Sequence, residues 1–167
     1  AYLDSFTAQM FAGRDSYGYS NDEAYLTLLY AQLQPAVLFE ETLLQRGLDG
    51  YRVLVLADCD VLTASVVERI RAFQRRGGVV VGDENLAPTI KPDLRMAKFT
   101  RQRKGDTDHA TLLANAAHLR AALDRRYARY AESMNPEVVT RVRTAGEGDY
   151  VFVVNDCREF GNYVGQH

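Results

Sequence analysis

The residues best suited to chemistry are acids placed where apolar runs end. Glu40-Glu41 follows Ala36 to Phe39, Asp58-Cys59-Asp60 follows Val53 to Ala57, and Asp83-Glu84 follows Val79 to Gly82. If the runs are strands of one sheet, several of these acids converge on one rim. Oxygen ligands there would suit a hard cation, and carboxylates of raised pKa would suit proton transfer. Cys59 stands among them as a nucleophile at a strand end would. Its neighbours oppose that role, because Asp58 and Asp60 disfavour a thiolate by like-charge repulsion, whereas a reactive cysteine needs positive surroundings. A nucleophile elbow also wants small residues two positions to either side; Ala57 fits and Val61 does not. The thiol is therefore expected to be inert, and no residue is assigned a catalytic role. Asp58, Asp60, Asp83 and Glu84 remain candidate ligand-binding groups. No metal is assigned to them, since acids also cap helices and solvate loops.

Other motifs read as structure. A paired-carboxylate glycosidase needs its two groups across a sugar-sized cleft, yet neither acid pair has an aromatic platform and the chain lacks tryptophan. Gly77-Gly78 leaves a helix and enters a strand, the reverse of a phosphate-binding turn, so no nucleotide or other cofactor is implied. Gly146 and Gly148 fall in a hairpin turn. His109 and His118 lie too far apart on one helix to share a metal and read as helix surface. The basic stretch Lys98 to Lys104, with Phe99, is expected to be a solvated loop and not a phosphate contact.

These groups need elements to hold them. Ala1 to Phe6 reads as a first strand, leading into a polar loop over 12–19. Ser20 with Glu23 has capping-box spacing, and Tyr25, Leu28, Leu29 and Leu33 form an inward stripe that Pro35 ends. Ala36 to Phe39 makes a second strand. Leu48 to Pro92 reads strand, helix, strand: Val53 to Leu56 is a continuous apolar run, suited to a strand covered on both faces. Thr63 or Ser65 caps the next helix, Val66, Ile70 and Phe73 face inward, and Gly77 stops it. Val79 to Val81 is the fourth strand. Leu86 to Pro92, with two prolines, reads as a loop over the sheet edge, and Asp93 to Thr100 as a fifth strand. A long helix is expected from about His109 to Glu132, with Leu112, Ala116, Leu119, Leu123, Tyr127 and Tyr130 as its apolar stripe. From Val138 the period becomes two, and Val138 to Val142 with Tyr150 to Val154 reads as a β-hairpin.

A right-handed crossover makes the strands parallel. The fold expected is α/β, a flavodoxin-like, doubly wound and mostly parallel sheet, with a C-terminal β-hairpin. Ligands of such sheets sit beyond the carboxyl ends of the strands, where the acids lie. With 167 residues, 47% of them hydrophobic, the chain can bury one core. Twenty basic against 22 acidic residues give a net charge of −2, so no global field draws it to nucleic acid or anionic lipid. No apolar run reaches the roughly 20 residues needed to cross a bilayer as a helix. Two cysteines match no zinc or disulfide framework and leave the compartment open. The chain reads as a piece of a longer polypeptide.

Several of these segments resemble a known family. Ser5-Phe6, the tyrosine-rich loop, Glu40-Glu41-Thr42-Leu43-Leu44, Leu48-Asp49-Gly50-Tyr51 with its strand, and Phe73-Gln74-Arg75-Arg76-Gly77-Gly78 carry the likeness. Together they resemble the glutamine-amidotransferase-like domain found after the catalytic barrel in bacterial β-galactosidase-like glycoside hydrolases. There this flavodoxin-like unit is called the trimerisation domain. Val138 to Asn155, above all Tyr150-Val151-Phe152-Val153-Val154-Asn155, resembles the start of the small β-domain that follows it. Working class I amidotransferases carry a cysteine in a glycine-flanked elbow after a later strand. This chain reads Gly82-Asp83-Glu84-Asn85-Leu86 there, without cysteine. The resemblance implies an amidotransferase-like α/β domain over 1–134 and a hairpin segment over 135–167, which begins a further β-domain or lends its strands to the first.

Two functional readings follow. The first is a noncatalytic domain of a larger carbohydrate-active hydrolase, its partners a second copy or a catalytic barrel. The second is a ligand- or metal-binding module, or an enzyme, using the acidic rim.

Overall fold

The computed structural model describes residues 1–12, 17–102 and 104–157, with the side chains of 17–22 excepted. Its strands are β1 (Tyr2–Asp4), β2 (Val37–Phe39), β3 (Val53–Leu56), β4 (Val79–Gly82) and β5 (Leu94–Arg95), followed by β6 (Val138–Ala145) and β7 (Gly148–Asn155). The helices are α1 (Phe6–Phe11), α2 (Tyr17–Tyr30), α3 (Glu40–Arg46), α4 (Ala64–Arg75) and α5 (Gly105–Leu123). β1 to β5 form one parallel sheet in the order β2-β1-β3-β4-β5. That is the flavodoxin-like order, with the reversal of winding at β1 and β3. β6 and β7 form a separate antiparallel pair.

Alternation along the strands sorts the core into two layers. Tyr2, Val55, Ala57, Val79 and Val81 pack with Leu28 of α2 and Leu112, Ala116 and Leu119 of α5. Leu3, Leu38, Leu54, Leu56 and Val80 point the other way, onto Leu43 of α3 and Val66, Ile70 and Phe73 of α4. β3 and β4 are thus covered on both sides, which is why they read as unbroken apolar runs.

α4 shows how local chemistry sets an element's bounds. Thr63 is its N-cap, the hydroxyl accepting from the Val66 amide at 3.4 Å. At the other end Gly77 takes φ +89°, its amide donates to the Gln74 carbonyl, and the Gly78 amide donates to the Phe73 carbonyl. This is a Schellman stop, and it delivers the chain directly into β4.

Four expectations need correction. β1 ends at Asp4 because Ser5 turns the chain into α1, its hydroxyl accepting from the Ala8 amide at 3.0 Å. The expected loop at 12–19 lies partly outside the described residues, and Tyr17–Tyr19 are already helical, so Ser20 falls inside α2 and not at its cap. α5 stops at Leu123 and not near Glu132. Arg129 folds back there, its guanidinium donating to the Arg120 carbonyl at 3.3 Å and to the Ala31 carbonyl at 3.1 Å. Tyr127 still packs on the core, whereas Tyr130 is exposed. Finally, β5 holds two residues only; after it Thr100, Arg101, Gln102 and Lys104 are exposed as expected of a solvated loop, but Phe99 is buried and Arg101 lies 3.2 Å from Glu23.

The tightest backbone approach is at Gly78, where an added Cβ would run into the Phe73 ring. Gly78→Ala is expected to lower unfolding stability by about 1–3 kcal/mol through overpacking. Phe73→Leu should cost less when combined with Gly78→Ala than alone, since the two positions share one contact. Urea denaturation of the two single variants and the double checks this; a Gly78→Ala protein as stable as the parent refutes the contact.

Candidate functional site

The carboxyl ends of β3 and β4 bring together two of the four candidate acids. Asp58 follows β3 with φ +54°, a left-handed turn that aspartate tolerates better than branched residues do. Its amide donates to Asp83 Oδ2 at 2.7 Å, and Asp83 Oδ1 accepts from the Asn85 amide at 3.0 Å. The Asp58 carboxylate is fully buried. It accepts from Asn85 Nδ2 at 2.6 Å and from the Lys98 ammonium at 3.1 and 3.2 Å. The Cys59 carbonyl accepts from the Ala87 amide at 2.8 Å, so the proline-bearing loop closes over the end of β3. Among the described residues, the ends of β3 and β4 are tied together by their own side chains and loop.

The other two acids are less enclosed than this pair. Asp60 is partly buried beyond the turn and Glu84 is exposed. Among the acids weighed with them, Glu41 is exposed. Glu40 sits at the N-terminus of α3, accepting from the Thr7 hydroxyl at 2.7 Å, the Thr7 amide at 3.3 Å and the Ser5 hydroxyl. It ties α1 to α3. Among the described residues no group of three or more His, Cys, Asp or Glu is arranged to hold a metal ion.

Electrostatics agree with closure. Burial raises the Cys59 thiol well above its ordinary pKa, and the charges of Asp83, Glu40, Asp58 and Asp60 push it the same way. The sulfur itself donates to the Ala57 carbonyl at 3.4 Å. A buried thiol among carboxylates is a poor nucleophile at neutral pH. Asp83 is also raised above its ordinary value by burial, against the opposing hydrogen bonds from the Asp58 and Asn85 amides.

Sequence reasoning missed three participants. Lys98 reads as part of a solvated stretch, yet it is the counter-ion of Asp58, 40 positions away. Asn85 and the Ser5-Thr7 pair carry no signal beyond their polarity. A buried carboxylate does demand a donor, and Lys98, just beyond the short strand beside β4, is a cation that a parallel sheet can bring to that rim. His109 is mostly buried, its Nε2 3.5 Å from Glu137, whereas His118 is exposed, so the pair shares no site.

A cleft of about 280 Å³ opens at the opposite, amino end of the sheet, lined by Leu33, Pro35, Tyr51, Arg52, Tyr127 and Tyr130 among others. It includes none of the four rim acids. No helix among the described residues is long and apolar enough to cross a membrane. No protein-family model, curated protein or solved structure matches the chain.

Lys98→Met removes the counter-ion of a buried carboxylate, with Asn85 still donating, and is expected to cost about 3 kcal/mol. Adding Asp58→Asn should recover much of the loss, which denaturant unfolding of the three variants measures. Asp83 binds its proton more tightly folded than unfolded, so its contribution is fully present below the ordinary value of 3.8 and is lost as pH rises through the raised folded value. The stability of the parent chain relative to Asp83→Asn should therefore fall as pH is raised through that window. A rise over the same window would contradict the burial of this carboxyl.

Proposed function

We propose that this chain is a noncatalytic, amidotransferase-like domain of a larger carbohydrate-active hydrolase of the β-galactosidase-like kind. It serves assembly with a second copy or supports the cleft of a neighbouring catalytic barrel. One observation carries the reading: the rim where ligands of such sheets bind is occupied by the domain's own groups. Asp58 and Asp83 spend their oxygens on Lys98, Asn85 and backbone amides, and Cys59 lies sealed beneath them. Side chains engaged in these internal bonds hold the loop after β4 in place.

The surface supports an interaction role. Phe6, Met10 and Phe11 of α1 and Val37 and Phe39 of the edge strand β2 are exposed, as are five successive apolar residues of β7. In this reading the hairpin begins a further β-domain, which the apolar faces of β7 would help to fill. The segments that resemble the trimerisation-type domain lie in the α/β unit, those of the hairpin resemble the β-domain that follows it, and the sequence at Gly82 to Leu86 lacks the glutaminase cysteine.

Alkylation of the native protein separates scaffold from enzyme. Exposed Cys157 should react with iodoacetamide at pH 7.5 while buried Cys59 reacts only on unfolding. Assays for glutamine and β-galactoside hydrolysis by the chain should show no turnover. Fast modification of Cys59 in the folded state, or glutamine hydrolysis lost in Cys59→Ala, overturns the proposal. The coding sequence upstream should specify a barrel with two strand-end glutamates; an upstream synthetase or transporter would reassign the parent.

A further inference from the structure

The two edges of the hairpin differ. On β6, the Val142 amide points outward to Gln34 Oε1 at 2.8 Å, and the Val138 carbonyl points outward to accept from Gln32 Nε2 at 2.7 Å. Val142 stands opposite Val151, and Val138 opposite Asn155. In an antiparallel ladder, residues opposite one another turn their amides and carbonyls both inward or both outward. Val151 and, by alternation, Asp149 and Val153 therefore aim theirs away from β6, along the free edge of β7. Among the described residues, the body closes one edge of the hairpin and leaves the other open.

Among the described residues, that edge carries no blunting device in its own strand. Natural edge strands are blunted by lysine, proline or a bulge. Tyr150 to Val154 has none of these, pairs in unbroken register, and exposes 54% to 62% of each residue.

We infer that β7 is a strand-addition edge and that its occupant is a second copy of this chain, joined antiparallel through the same strand. Self-complementarity selects this occupant. With Phe152 on the two-fold axis, Val151 meets Val153 of the other copy, Tyr150 meets Val154, and Asp149 meets the neutral Asn155. Outward-facing residues then hydrogen-bond outward-facing ones along the whole strand, and no charge opposes its like. The result is a continuous four-stranded sheet in which Phe152 stacks on its own copy at a close, non-hydrogen-bonded position. The inference deepens the assembly role proposed above by assigning self-association to one named edge.

Parity provides the test. Because the Val153 amide serves only the outer edge, Val153→Pro removes an intermolecular donor without breaking the β6–β7 ladder, whereas Phe152→Pro breaks the ladder itself. Val151→Lys is a second, charge-based block that keeps every amide. The parent chain should sediment as a dimer at tens of micromolar concentration, with the Val151 and Val153 amides slow to exchange. Val153→Pro and Val151→Lys should sediment as monomers of unchanged circular dichroism. Dimers that persist in both variants place self-association on another surface, overturning this inference while leaving the assembly role standing. A monomeric parent overturns it as well: slow Val151 and Val153 amides would then mean that the edge is covered within one chain, and fast ones that it is unoccupied.

Discussion

The structure depends on one constraint: β3 and β4 are apolar on both faces, so the sheet is stable only if helices cover it from both sides. Together the two strands send Val53, Val55, Val79 and Val81 one way and Leu54, Leu56 and Val80 the other. Burying such side chains is worth roughly 1.5–3 kcal/mol apiece. A parallel sheet with crossover helices on both faces provides that gain, whereas an antiparallel sheet with one wet face would leave half of these residues in water. The capping of α4 at Thr63, its arrest at Gly77 and the close fit of Gly78 under Phe73 all serve to bring β4 in beside β3 at the right height.

Two-sided coverage also determines what happens where the strands end. A carboxylate carried into such a place by its position after a strand must find donors, since an unpaired buried charge is far costlier than an exposed one. Asp58 finds Lys98 and Asn85, Asp83 finds two backbone amides, and Glu40 finds Ser5 and Thr7. The acids are thereby converted from prospective reagents into fastenings that hold the loop after β4 and the start of α1. Cys59 illustrates the same logic from the apolar side: once sealed, its thiol is stabilised as the neutral form by both burial and the surrounding negative charge.

The hairpin is attached by different physics. Its join to the α/β body is polar: Gln32, held in a left-handed conformation after α2, takes the Val138 carbonyl, the Ser133 amide and the Thr140 hydroxyl, while Gln34 takes the Val142 amide. Amide side chains can mimic a neighbouring strand's donors and acceptors, so they finish the edge of β6 without adding a strand. The apolar residues of β7 gain nothing from that join. Their exposure is the direct consequence of docking through the opposite strand.

Much of the architecture was legible because periodicity reports burial. The unbroken run at Val53 to Leu56, the stripe at Val66, Ile70 and Phe73, and the alternation at Val138 to Val142 each named an element and its inward face. The same logic located the acids at the strand ends. Misreadings fell where side-chain bonds outside the helix or strand pattern enter: past the end of α5 Arg129 donates to the Arg120 carbonyl and to the distant Ala31 carbonyl, and at the turn from β1 into α1 Ser5 and Thr7 bind Glu40. Whether the rim is a site or a seal belongs to the same class. The sequence by itself determined which residues are apolar, in what rhythm, and hence the layered α/β plan with its hairpin. Only the tertiary structure decided that Lys98 neutralises Asp58, that Cys59 is enclosed, and which edge of the hairpin the body covers. The physical reason is that burial patterns are written locally along a strand or helix, whereas charge pairing depends on which distant donors the finished fold carries within about 3 Å.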